Sequence, residues 1–107
     1  MTGVEIEVLV VPNCPNEEAA LSLIRRAISG TNVQDAPVHT TVIRTEQEAV
    51  RRSFTGSPTI LINGEDPFDE PDTAFGLACR LYPTPDGPRG VPALADLRQA
   101  FQVAAGG

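Results

Sequence analysis

VEIEVLVVPNCPNEEAALSLIRRAISG, residues 4–30, joins an apolar run to an amphipathic stripe through a cysteine set between Asn13 and Pro15. Residues 4–11 alternate at first and then become continuously apolar, which predicts a strand buried on both faces towards its end. Residues 15–29 carry Ala20, Leu21, Ile24, Ala27 and Ile28 at helical spacing. Pro15 suits a first helical position, where its missing N–H costs no helical bond, and Gly30 suits the stop. The β-branched run VHTTVI, 38–43, predicts a second strand. Strand, helix and strand together favour a parallel pair joined by a right-handed crossover. Cys14 then falls at the join between the first strand and its helix.

Working outward, Thr45 and Glu48 in TEQEAVRRSF have capping-box spacing, which predicts a short helix over about 46–53. PTILIN, 58–63, predicts a third strand, and Asn63-Gly64 a turn after it. EDPFDEPDTAFG, 65–76, reads as a long acidic loop, solvated rather than calcium-binding, because prolines interrupt it and its spacing is not that of an EF-hand. LACRLY, 77–82, is expected as a fourth strand. After the loop PTPDGPRG, a closing helix presents Leu94, Leu97, Phe101 and Ala104 on one face. The order is β-α-β-α-β-β-α. It implies an α/β fold with a four-stranded mixed sheet and helices on both faces, as a single domain over 1–107.

Bulk composition narrows the function classes. Apolar residues make up 41% of the 107, with 5% aromatic and no Trp, so the core must be aliphatic. The net charge of −6, with eight Arg as the only basic side chains beside one His, argues against binding nucleic acid or an acidic membrane surface. No apolar stretch is long enough to span a membrane, and the acidic N-terminus does not suit a secretory signal, so a cytoplasmic protein is expected. Two cysteines in such a setting suggest separate thiols rather than a disulfide framework. Two Cys and one His are too few for a closed zinc site, and no cofactor is expected.

The element order resembles the thioredoxin fold. Cys14 matches the place of that superfamily's nucleophilic cysteine, and Ser57-Pro58-Thr59 the place of its cis-proline. The runs VPNCPNE, FTGSPTILINGEDPF and LACRLY are also similar to a group of small bacterial thioredoxin-like proteins, some labelled as related to alkylmercury lyase. One departure is plain. Dithiol members carry Cys-x-x-Cys, whereas this chain has Cys14-Pro15-Asn16-Glu17, so the usual resolving thiol is missing.

Residue chemistry gives each candidate a role. A thiol among the unpartnered N–H groups of a helix start is favoured as thiolate, which is both nucleophile and soft-metal ligand. Glu17, one turn on, either complements the helix dipole or holds a proton for delivery. A cis Pro58 would turn the backbone of Ser57 and Thr59 towards Cys14 and leave groups to pair an extended substrate. Cys79 is either a strand cysteine packing like a small apolar residue or the partner of Cys14, as a disulfide or as half of a soft-metal clamp. His39 is expected to face solvent, and Arg51 and Arg52 to end a helix without an active part.

Three functions follow as expectations. Thiol-disulfide exchange would use Cys14 on a disulfide or thiol substrate, glutathione included, with Cys79 or an external thiol resolving the mixed disulfide. Resemblance to alkylmercury lyase implies an organomercurial substrate, with Cys14 and Cys79 taking mercury and Glu17 protonating the departing carbon. A non-catalytic module would instead use the Ser57–Thr59 face to hold a peptide or partner protein.

Overall fold

The computed structural model describes residues 3–69 and 74–106. Chain order is β1 (Ile6–Val10), α1 (Glu17–Ile28), β2 (Val38–Val42), α2 (Glu46–Arg51), β3 (Thr59–Ile62) and α3 (Leu94–Ala104). The sheet runs β2-β1-β3, with β1 in the centre. β1 pairs parallel with β2 from Ile6↔Val38 to Val10↔Val42 and antiparallel with β3 from Ile6↔Ile62 to Leu9↔Thr59.

Period-two alternation sorts the core onto two faces. Ile6, Val8, Val10, Ile60 and Ile62 pack with Ala20, Leu23, Ile24 and Ala27 of α1 and with Leu97 and Phe101 of α3. Leu9 and Leu61 face the other way, against Ile43, Ala49 of α2 and Phe54. The helices therefore lie on both faces, as expected. At α2, Thr45 Oγ1 accepts from the Glu48 N–H at 3.1 Å, and Glu48 Oε1 accepts from the Arg44 N–H at 3.1 Å. Gly30 follows α1 with φ +74, a left-handed stop that glycine takes without a Cβ clash.

The expected fourth strand is not there. The sheet has three strands among the described residues, and the four-stranded thioredoxin-like arrangement is overturned. Asn63 and Gly64, both at positive φ, turn the chain tightly after β3, but only one pair, Ile62↔Glu65, closes behind them. Asp66 then accepts the Phe68 N–H on its own side chain at 2.9 Å, and Pro67 has no N–H to give a ladder. When the chain returns through 77–82 it does not pair beside β3. It touches the segment ahead of β3, in the parallel sense, at the single bridge Ser57↔Cys79.

A second boundary also moves. α1 begins at Glu17 with Asn16 as its cap, so Pro15 is not in the helix and Cys14 stands ahead of the cap rather than at the first turn. Two turns occupy the join. The Cys14 N–H donates to Val11 O at 3.2 Å, and the Glu17 N–H donates to Cys14 O at 3.3 Å. Asn13, at φ +60, takes the left-handed residue that the first turn needs.

Candidate thiol site

Pro58 immediately precedes β3, and the Ser57–Pro58 peptide is cis. Ser57, Pro58 and Thr59 are all buried, so neither hydroxyl is offered to solvent. Ser57 is the junction of three segments. Its Oγ accepts the Val11 N–H at 3.0 Å. Its own N–H donates to Ala78 O at 2.9 Å, and its carbonyl accepts the Arg80 N–H at 3.0 Å. Gly56 makes that approach possible. At φ +139, a Cβ there would stand 2.9 Å from Arg80 Cβ and 3.2 Å from Ala78 O.

Both cysteine segments meet this junction. Val11 is held by Ser57 on its N–H, and its carbonyl takes the Cys14 N–H. Cys79 is the bridge partner of Ser57 itself. Hydrogen bonds to the Ser57 hydroxyl on one segment and to its backbone on the other thus tie both cysteine segments to one residue. Cys14 is half-buried against the α1-side core, Cys79 is exposed, and both are free thiols. Glu17 is half-buried at the start of α1, one turn past Cys14. Gly90 lies so close to the Asn16 side chain that a Cβ there would have to displace it. The 83–90 loop therefore abuts the cap of α1 beside Cys14.

The residues that fix Cys79 in place carry no motif. Arg80 is 8% exposed and forks onto Asp66, with Nη1 to Oδ2 at 2.6 Å and Nη2 to Oδ1 at 3.3 Å. It also donates to Phe68 O at 2.6 Å and to Thr59 Oγ1 at 3.3 Å, and its guanidinium lies 4.6 Å from the Tyr82 ring centroid. Asp66 is thus a clamp residue and not part of a solvated acidic loop; Glu70 and Asp72 of that run lie outside the described residues. Tyr82 is buried, donates its hydroxyl to Pro58 O at 2.5 Å, and meets Phe68 edge-on at 5.5 Å. Burial pushes its phenol above the ordinary value; the Arg80 charge opposes that rise and Asp66 adds to it. The only sequence hint was alternation in LACRLY, which puts Arg80 and Tyr82 on one side and Cys79 and Leu81 on the other.

His39 is exposed on β2, as expected. Arg52 has a structural part that its sequence position did not announce. It pairs with Glu7 Oε1 at 2.6 Å, and Thr41 Oγ1 donates to Glu7 Oε2 at 2.7 Å. Partial burial pushes the Glu7 carboxyl up, but the Thr41 hydrogen bond and the Arg52 guanidinium outweigh it and hold the group below its ordinary value. No cluster of three or more metal-ligating side chains occurs among the described residues, and none of their helices is long and apolar enough to cross a membrane. No family model, curated protein or solved structure matches the chain.

Proposed function

We propose that the protein performs thiol-disulfide exchange with Cys14 and Cys79 acting as a pair. The observation that supports this is the shared anchoring of both cysteine segments on Ser57. It offers an answer to the missing resolving thiol: the second sulfur comes from position 79, distant in sequence, rather than from position 17. The Cys14 thiolate attacks a substrate disulfide, one substrate sulfur leaves as a thiolate, and a mixed disulfide forms. The Cys79 thiolate then attacks the Cys14 sulfur and expels the second substrate thiolate. The substrate gains two electrons, and the pair ends as an intramolecular disulfide that an external dithiol reduces.

Turnover of a glutathione mixed disulfide with dithiothreitol as reductant tests this reading. Activity should vanish in Cys14→Ser, and a single turnover without dithiothreitol should stop at the mixed disulfide in Cys79→Ser. Equal turnover by the unmodified protein and both variants contradicts it.

One observation favours a second reading. Glu17 is half-buried at the start of α1, one turn beyond Cys14. This fits the organomercurial chemistry implied by the resemblance to alkylmercury lyase. Both sulfurs take the mercury of R–Hg⁺, the carbon–mercury bond breaks, and the Glu17 proton goes to carbon to give R–H and a dithiolate-bound Hg(II). Hydrocarbon release from an organomercurial in excess thiol, lost in Glu17→Gln, supports it. No hydrocarbon from the unmodified protein ends it.

A further inference from the structure

A cleft of about 560 Å³ opens away from the thiols, between the turn after β3, the start of the 83–90 loop and the outer face of α3. Its size falls within the ordinary range of small-molecule sites. Phe68 and Tyr82 form an aromatic wall, with their rings 5.5 Å apart and perpendicular, and Pro67, Pro83 and Pro92 stiffen the rim. Ala100 and Ala104 keep the α3 side shallow, and Val103, 68% exposed, forms the lip.

Every charged side chain lining this cleft is acidic: Glu65, Asp66 and Asp96. Asp66 is balanced by Arg80 behind the wall. Glu65 and Asp96 form no ion pair among the described residues. An apolar, aromatic-walled space with uncompensated carboxylates at its edge complements a ligand that is apolar in body and carries one positive charge. We infer that this cleft is a binding site for a small amphipathic organic cation, such as an aryl- or alkyl-ammonium compound. Neither cysteine nor Glu17 lines it, so the inference stands apart from the proposed thiol chemistry and can fail without touching it.

A charge series on one ring tests the inference: 2-phenylethylammonium, 2-phenylethanol and phenylacetate, each titrated into the full chain. Tyr82 is the single tyrosine and there is no Trp, so its fluorescence reports the cleft wall directly, with amide shifts mapping the rest. The cation should bind saturably, with the alcohol on the order of fivefold weaker and the carboxylate weaker again. Val103→Arg, a surface change at the lip, should reduce the affinity for the cation by about fivefold or more and leave the alcohol nearly unchanged. Ala100→Phe should fill the space and weaken cation and alcohol alike. Equal affinity for cation and alcohol overturns the inference. So do amide shifts that map away from Phe68, Tyr82 and α3, or the absence of saturable binding.

Discussion

Cys79 and Ser57 face each other across a single parallel bridge, closed by the Ser57 N–H to Ala78 O and the Arg80 N–H to Ser57 O. That one contact replaces an entire strand pairing. It leaves the position of Cys79 dependent on the side chains on either side of the bridge rather than on a ladder.

The first prediction concerns the Arg80–Asp66 clamp. Asp66→Asn removes a counter-charge that forks onto a buried guanidinium. Removing one partner of such a pair costs about 3–5 kcal/mol when both are fully buried, and somewhat less here because Asp66 keeps some solvent contact. Urea unfolding should show a loss of about 2–4 kcal/mol. A loss within experimental error would mean the clamp does not hold the segment.

Gly56→Ala tests the close approach itself. A Cβ at 2.9 Å from Arg80 Cβ must push the 78–80 segment away, on a backbone whose φ of +139 already disfavours side chains. Besides destabilising by about 1–3 kcal/mol, it should speed alkylation of Cys79 and lower the yield of any Cys14–Cys79 disulfide. Unchanged thiol behaviour would separate Cys79 from the Ser57 junction.

Tyr82 gives an alkaline signature. Its phenol is held neutral by burial, so its folded value is raised above the ordinary 10.0. The associated stability is complete below that ordinary value and declines as pH rises beyond it towards the folded value. Tyrosinate absorbance should therefore appear only together with unfolding. Tyr82→Phe, which loses the bond to Pro58 O, should cost about 1 kcal/mol at neutral pH and flatten the alkaline decline. Free ionisation of the phenol in the folded state would contradict the burial argument.

Glu7 gives the acid counterpart. Its folded value is depressed, so its contribution is present above the ordinary 4.5 and is lost as pH falls through the lower folded value. Because both side chains keep solvent contact, the effect is small, under about 1 kcal/mol. Glu7→Gln should remove that part of the acid slope, and stability titrations of the two proteins should converge at low pH.

The first half of the chain was largely legible because local patterns there coincide with tertiary demand. Alternation in VEIEVLVV, the Thr45–Glu48 box and the β-branched VHTTVI each specify their element without distant help. The cis peptide expected at Pro58 from the Ser57-Pro58-Thr59 run is also found. LACRLY misled because so short a run is equally compatible with a strand and with an isolated extended crossing. What decides between them is Asp66, one acid among several in a run with no marker, reaching Arg80 across 14 residues. The start of α1 was misplaced for a related reason. Pro15 fits a first helical position, but Asn13 and the two successive turns consume the residues before Glu17.

The central claim is that Cys14 and Cys79 work as a pair, and disulfide mapping after mild oxidation tests it most directly. Stoichiometric oxidant should yield a monomer two protons lighter, with one cross-linked peptide pair containing Cys14 and Cys79 and no such species in Cys79→Ser. Oxidation that yields only intermolecular or mixed disulfides at Cys14, with Cys79 still open to alkylation, would contradict it.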